Sequence, residues 1–137
     1  MNKERKLIIA GNWKMNKTVA EASELISQLK IDLDQLTDVD VVVCPPFTAL
    51  AGVSEMLKDS TIRLGAQNMS EHDSGAHTGE IAASMLRELR VRHVILGHSE
   101  RRQLFGEDNS LINKKIKTAL AHSLRVIFCL GETLEMR

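Results

Sequence analysis

Residues 91–100 read VRHVILGHSE, an apolar run that ends in a glycine and three polar side chains. Short, nearly continuous apolar runs are typical of strands that are covered on both faces, as in a parallel sheet flanked by helices. In parallel α/β proteins, the groups that do chemistry collect just beyond the C-terminal ends of the strands. The sequence therefore predicts a strand over Val91–Leu96 and makes His98, two residues beyond it, a candidate site residue.

Four further apolar runs of the same character lie along the chain. They predict strands over Lys6–Ala10, Val39–Val43, Ile62–Ala66 and Leu124–Leu130. Segments with apolar residues at three- and four-residue steps separate these runs, and that period predicts amphipathic helices. Strands and helices thus alternate through the chain, in the order β-α-β-α-β-α-β-α-β.

The helical segments carry recognisable start signals. Thr18 and Glu21 are spaced as a capping box, which predicts a first helix with an apolar stripe from Val19 to Leu36. A second helix is predicted over Phe47–Lys58, a third opening at residues 78–80, and a fourth capped by Asp108 or Asn109. The inward-facing residues of the last two are predicted to be Ala82, Met85, Leu86, Leu89, Ile112, Ile116, Ala119 and Leu120.

This alternation predicts one α/β domain over residues 1–137, with a parallel sheet and right-handed crossovers. Two architectures fit the pattern: an open doubly wound sheet, or a section of a (β/α) barrel.

Lysine plus arginine (18) equals aspartate plus glutamate (18), so no basic excess favours nucleic acid or an acidic membrane surface. Neither a signal peptide nor a membrane span of roughly 20 apolar residues is expected. Cys44 and Cys129 lie in apolar runs and fit reduced thiols, which favours a cytoplasmic location.

Two of the predicted strands deliver chemically useful side chains to the same edge of the sheet. Lys14 follows the first strand and offers a compact cation for a phosphate or a developing oxyanion, although most lysines are simply solvated. His98 precedes a predicted short helix, Ser99–Phe105, whose dipole disfavours imidazolium. A neutral imidazole can donate its N–H to a carbonyl, but the residue taken by itself fits a purely structural histidine better. Glu100 could pair with Lys14, or serve only as an acid at a helix N-terminus.

Other candidate sites are less well supported. Glu71, His72, Asp73 and His77 could suggest a metal site, but they lie in a polar loop without a matching motif, so none is expected. Cys129 has no histidine beside it, which favours a structural thiol over a nucleophile. The first strand is not followed by Gly-x-Gly-x-x-Gly, which counts against dinucleotide binding. Residues 114–117, with three lysines, are predicted to be the exposed face of a helix.

Five motifs, in order along the whole chain, resemble the triosephosphate isomerase family. They are GNWKMN (11–16), CPPFT (44–48), GAQN (65–68) with GAHTGEI (75–81), ILGHSERR (95–102) and IFCLGE (127–132). The resemblance implies the first five strands and four connecting helices of a TIM barrel. It also implies interconversion of dihydroxyacetone phosphate and glyceraldehyde 3-phosphate through an enediolate, in glycolysis and gluconeogenesis, with no metal or cofactor.

The resemblance also implies roles for individual residues. His98 would be the neutral electrophile that polarises the substrate carbonyl, as is known for this family. Lys14 would stabilise substrate and enediolate electrostatically, and Asn12 would add a hydrogen bond at the same oxygens. Ser99, Glu100 and Cys129 would support them, and Thr78 would lie on the loop that reaches the neighbouring subunit in the family's homodimer.

The family barrel has eight strands and about 250 residues. Its glutamate base follows strand six, and its lid and phosphate-binding loops come later still, whereas this sequence runs only through strand five to Arg137. Glu132 does not match the base position. The isolated chain is therefore expected to be inactive and not to persist as a compact monomer. The alternatives are a non-catalytic half-barrel that binds a complementary C-terminal half and, less favoured, a phosphate-binding protein with an open sheet.

Overall fold

In the computed structural model, residues 5–131 and 134–136 are described. Five strands alternate with five helices, which confirms the predicted α/β organisation, and α4 and α5 both lie between the last two strands. The elements are β1 (Leu7–Asn12), α1 (Val19–Asp32), β2 (Val39–Cys44), α2 (Phe47–Met56), β3 (Arg63–Ala66), α3 (Ala83–Glu88), β4 (His93–Leu96), α4 (Ser99–Phe105), α5 (Asn109–Ala121), β5 (Arg125–Phe128) and a 3-10 turn (Leu134–Met136).

The five strands form one parallel sheet in which spatial order follows chain order. At the C-terminal ends, Asn12 of β1 pairs with Cys44 of β2, and Leu96 of β4 pairs with Phe128 of β5. A doubly wound sheet reverses its strand order at a switch point, and this sheet does not. The architecture is therefore half of a (β/α) barrel, which confirms the predicted fold class.

Alternation along the strands places side chains in two separate cores. Val94 and Leu96 of β4 are buried against the helices together with Ile26 and Leu86. Ile95, between them in sequence, points the other way. It packs on the inner face of the sheet, in a second cluster of the buried Val42, Cys44 and Ile95, against which the partly buried Ile127 and Cys129 pack. The inner face therefore has its own apolar layer, as the interior of a barrel requires.

The predicted helix caps are present. The Thr18 hydroxyl accepts a hydrogen bond from the Glu21 N–H (3.3 Å), and the Glu21 carboxylate accepts one from the Thr18 N–H (3.0 Å). Asp108, rather than Asn109, caps α5, because its carboxylate accepts a hydrogen bond from the Leu111 N–H at 2.8 Å. These caps satisfy backbone donors that the first helical turn leaves without partners.

The start of α3 was predicted wrongly. The helix begins at Ala83 and not at residues 78–80. Gly79 has φ +90°, in the left-handed region, so the chain turns there instead of entering a helix. The Glu80 N–H closes this turn by donating to the His77 carbonyl at 3.0 Å.

Three residues predicted to face inward are exposed: Val19 (57%), Met85 (49%) and Leu120 (60%). Val19 is the first residue of α1, at the margin of its buried face. Met85 and Leu120 adjoin the fully buried Leu86 and Ala119, and one residue turns a helix by about 100°. Each helix therefore buries a narrower stripe than its sequence pattern suggested.

The outer strands of the sheet carry the exposed apolar side chains that the sequence led us to expect. In β1, Leu7, Ile8 and Ile9 are 69%, 47% and 60% exposed, and in β5 Phe128 is 47% exposed. Both strands have a neighbour on only one side within the described sheet. Their free edges and apolar surfaces are the features that favour pairing with another polypeptide.

A buried histidine lies on the inner face of the sheet at its N-terminal end. His93 is 1% exposed, and neither ring nitrogen has a hydrogen-bond partner among the described residues. Burial lowers the pKa of His93, and the cations of Arg63 and Arg125 lower it further, whereas the carboxylate of Asp40 opposes them. The neutral ring is therefore favoured in the folded chain, at the cost of a buried N–H without an acceptor.

Replacing His93 by leucine is expected to raise the free energy of unfolding by about 1–3 kcal/mol, because it removes this buried, unsatisfied group. Below the ordinary histidine pKa of 6.5, His93 binds a proton in the unfolded chain more readily than in the folded chain, where its pKa is lower. The wild type therefore loses stability as pH falls. The free energy of unfolding should therefore change less between about pH 7.5 and about pH 5.5 in His93→Leu than in the wild type. Denaturant unfolding at the two pH values measures this change. His77→Leu, at an exposed histidine, is the control. An unchanged pH dependence in His93→Leu would contradict this explanation.

Candidate active site

The loops that follow β1, β3 and β4 meet at the C-terminal rim of the sheet. Together they line an open cleft of about 460 Å³, a volume that suits a small molecule. Its polar lining includes Asn12, Lys14, Gln67, His98 and Glu100. The cleft thus lies where a parallel α/β fold is expected to place its site.

Lys14 stands in an unusual backbone conformation, with φ of +56°. Two side chains hold it there. The Asn12 amide oxygen accepts a hydrogen bond from the Lys14 N–H at 2.9 Å, and the Gln67 amide nitrogen donates to the Lys14 carbonyl at 2.8 Å. Gln67 also donates to the Cys44 carbonyl at 2.9 Å, which ties the first loop to the end of β2. A left-handed conformation costs energy for a non-glycine residue, and these contacts stabilise it. They fix the Lys14 backbone and so the direction in which its side chain leaves the loop.

Gln67 was not identified from the sequence as a site residue. It directly follows β3, so the rule that singled out Lys14 and His98 could have found it. Asn12 was predicted to bind substrate, and the structure shows that its oxygen is already engaged with the Lys14 backbone. Its contribution in the described structure is to hold the lysine loop in place.

His98 is the N-cap of α4, as the sequence predicted. Its Nδ1 accepts a hydrogen bond from the Glu100 N–H at 3.1 Å. A nitrogen that accepts a hydrogen bond carries no proton, so the ring proton lies on Nε2. The Glu100 carboxylate also comes within 3.6 Å of Nδ1, but the backbone bond is shorter and leaves no proton to share with that oxygen. The ring can therefore donate from Nε2, which is the arrangement an electrophile needs.

Lys14 and Glu100 form an ion pair, with Nζ 2.7 Å from a carboxylate oxygen. The predicted convergence of Lys14, His98 and Glu100 is confirmed as geometry. Both side chains of the pair are about half exposed (53% and 45%), and exposed pairs contribute little to stability. The pair is better understood as a means of holding the ammonium at the rim of the cleft, close to His98.

The hydrogen bond from Lys14 is the main reason that the pKa of Glu100 lies below its ordinary value of 4.5. We expect Lys14→Met to raise the pKa of Glu100, because both the hydrogen bond and the nearby positive charge are lost. A pH titration of the Glu100 carboxyl carbon by NMR measures this directly. Lys30→Met is the matched control, since it should raise the pKa of its own partner, Asp59, and leave Glu100 unchanged. An unaltered Glu100 titration in Lys14→Met would show that the pair does not persist in solution.

The remaining predicted site residues lie at the margins. Cys129 packs against the inner-face cluster, and burial raises the pKa of its thiol, which fits a structural role. Ser99 is the exposed first residue of α4. Thr78 is exposed in the turn beside Gly79, a residue that does line the cleft. The structure brings neither Ser99 nor Thr78 into the group formed by Lys14, His98 and Glu100.

The predicted exposed lysine face of α5 was wrong at one position. Lys115 is only 4% exposed and its Nζ lies 3.1 Å from the carboxylate of Glu107, which is 5% exposed. The same carboxylate oxygen accepts a hydrogen bond from Arg101 of α4, and Lys115 also donates to the Asn68 side chain at 3.0 Å. This network joins α4, α5 and the loop after β3 beneath the cleft. Lys115 can be buried because the carboxylate of Glu107 supplies a counter-charge within the same buried site.

The suspected metal ligands do not form a site within residues 5–131 and 134–136. No three histidine, cysteine, aspartate or glutamate side chains in that part of the chain are grouped closely enough to hold an ion. His72 and His77 stack on each other instead, with their ring centres 3.9 Å apart. Among the helices described, none is both long and apolar enough to cross a membrane.

The fold and the cleft define a (β/α)-barrel protein with its polar side chains at the C-terminal rim of the sheet. A family model described as triosephosphate isomerase matches residues 7–137. The chain belongs to the triosephosphate isomerase family, as the sequence motifs predicted.

Several curated triosephosphate isomerases are closely similar to the chain. That of Alkaliphilus metalliredigens is 56% identical over 133 residues, which are 97% of this chain and 53% of the relative. That of Chloroflexus aurantiacus is 52% identical over 130 residues, or 95% of this chain and 52% of the relative. The chain thus spans about half the length of the curated relatives that it matches.

Proposed function

We propose that this chain supplies the electrophilic half of a triosephosphate isomerase site. One observation carries the proposal: Lys14 Nζ and the proton-bearing Nε2 of His98 belong to one cleft, each held by neighbouring hydrogen bonds. The relatives are triosephosphate isomerases, and the reaction that the family resemblance implies is the interconversion of dihydroxyacetone phosphate and glyceraldehyde 3-phosphate.

In this proposal His98 donates its Nε2 proton as a hydrogen bond to the substrate carbonyl oxygen. Removal of a proton from the adjacent carbon then moves negative charge onto that oxygen, and the intermediate is an enediolate. Lys14 stabilises the same charge electrostatically, and it also offsets the charge of the substrate phosphate. Both groups are oriented in advance, so they need not reorganise as the charge develops.

The reaction also needs a base, and we infer that another polypeptide segment provides it. In the family the base is a glutamate after strand six, and the described sheet contains five strands. Glu100 is a poor substitute because its carboxylate is held by Lys14. The exposed edges and apolar side chains of β1 and β5 support association with a segment that carries strands six to eight.

The second candidate function is that of an assembly module without catalysis of its own, and the same exposed strands favour it. The two proposals differ in what happens after association, since only the first predicts that the complex turns over triose phosphate. The cytoplasmic location and the homo-oligomeric state expected from the sequence stay predictions.

The test is to mix the chain with a polypeptide that carries strands six to eight of the Alkaliphilus metalliredigens relative. Both should be prepared in a host that lacks its own isomerase. We expect turnover of dihydroxyacetone phosphate from the mixture and none from either part alone. A positioned base contributes roughly 10²–10⁴ in rate, so the difference should be plain in a coupled assay. Association without turnover would favour the assembly module and contradict the catalytic proposal.

A further inference from the structure

The turn between β4 and α4 is tightly packed around Gly97. Gly97 has φ +78°, and a Cβ built there would lie 3.0 Å from Arg102 Nη2 and 3.1 Å from the Cys129 carbonyl oxygen. Glycine suits both this conformation and this crowding. The turn that presents His98 is therefore packed directly against the side chain of Arg102 and the end of β5.

Arg102 contacts three parts of the structure through its guanidinium. Nε donates to the Gly97 carbonyl at 2.8 Å, Nη1 donates to the Asn109 side chain at 2.7 Å, and Nη2 makes a long contact of 3.5 Å with the Cys129 carbonyl. The guanidinium also lies 6.0 Å from the centre of the Phe128 ring. A single planar side chain thus joins the end of β4, the end of β5 and the first residue of α5.

The Gly97 contact acts on His98 because the two residues share a peptide bond. The Arg102 backbone N–H also donates to the His98 carbonyl at 3.1 Å. Arg102 therefore holds the carbonyls on both sides of the His98 backbone. That backbone position in turn places Nδ1 within reach of the Glu100 N–H, on which the tautomer depends.

We propose that Arg102 is a positioning residue that keeps His98 in its Nε2–H tautomer by fixing the Gly97–His98 peptide against the end of β5. The proposal rests on the proposed function, in which Nε2 is the donor to substrate. Arg101, its neighbour on α4, is bound elsewhere, to the buried Glu107 and over the Phe105 ring. The two arginines are therefore a matched pair for testing the proposal.

The experiment measures the tautomer of each of the five histidines by long-range ¹H–¹⁵N spectra of the labelled 137-residue chain. His98→Gln assigns the His98 signal. Wild-type chain should show the Nε2–H form at His98. Arg102→Lys keeps the charge but loses the planar, multidentate fork, and it should move part of the proton population to Nδ1 at His98 alone. Arg101→Lys should leave the His98 signal as it is.

The proposal is overturned if a folded Arg102→Lys chain keeps the wild-type His98 signal, or if Arg101→Lys shifts it equally. If loss of far-UV circular dichroism shows that Arg102→Lys does not fold, Asn109→Ala tests the proposal instead, because it removes one exposed contact of Arg102. A smaller shift of the His98 signal in the same direction is expected there, and no shift overturns the proposal. The tautomer is read without turnover, so a failure of the proposed function would be seen separately. If the mixture is active, Arg102→Lys should also lower kcat about 10- to 100-fold.

Discussion

Replacing His98 by alanine is expected to lower kcat of the complemented enzyme by about 10²–10³. The expectation follows from the tautomer: Nδ1 is occupied by the Glu100 N–H, so Nε2 is the nitrogen that can donate to the carbonyl. Alanine removes that donor, and water, which is not oriented in advance, is a poor substitute. The loss should fall on kcat more than on KM, because the hydrogen bond strengthens as the oxygen becomes negative.

The matched control for this prediction is His122→Gln. His122 lies at the end of α5, outside the cleft, where its ring contacts the Thr118 carbonyl. In steady-state kinetics, kcat of the complemented His122→Gln enzyme should therefore exceed that of His98→Ala by about 10²–10³. Equal rates for His98→Ala and His122→Gln would remove His98 from the mechanism.

The second large effect is one of stability and concerns the buried network beneath the cleft. Glu107→Gln is expected to lower the free energy of unfolding by about 3–5 kcal/mol, because it leaves the buried Lys115 ammonium without its counter-charge. Denaturant unfolding of the variant and the wild type measures the difference. Adding Lys115→Met to Glu107→Gln should recover part of the loss, since the more deeply buried of the two cations that Glu107 pairs, Lys115 rather than Arg101, is then gone as well.

The control is Glu55→Gln, which removes an exposed carboxylate paired with Lys58 and Arg90. Exposed pairs of this kind contribute about 0–1 kcal/mol, so this variant should be nearly neutral. If Glu107→Gln were as mild as Glu55→Gln, Lys115 would have to reach solvent more readily than its burial indicates.

Much of the fold could be predicted from the sequence because it depends on local signals. Apolar runs located all five strands, and the spacing of Thr18 and Glu21 located the first capping box. The choice between an open sheet and a barrel section could not be made from strand count and helix count alone. It depends on strand order, and strand order is a property of how the strands pair across the sheet.

The part of the candidate site that could be predicted consists of the residues that come directly after the C-terminal ends of strands. That rule found Lys14, His98 and Glu100, and the structure brings them together. The rule passed over contacts that join residues distant in sequence. Gln67 reaches a backbone carbonyl 53 residues away, and Lys115 a side chain 47 residues away. A lysine next to other lysines looks exposed until a buried carboxylate is placed beside it by tertiary structure.

In the function proposed above, this chain holds the electrophile and another segment supplies the base. The most direct measurement is exchange of the carbon-bound protons of dihydroxyacetone phosphate in D₂O, followed by ¹H NMR, because proton removal is the step a base performs. We expect exchange at the buffer rate with the chain alone, and faster exchange when strands six to eight are added. The added rate should be lost when the chain carries His98→Ala. Rapid exchange catalysed by the chain alone, and abolished by His98→Ala, would contradict this proposal by showing that the base lies within these 137 residues.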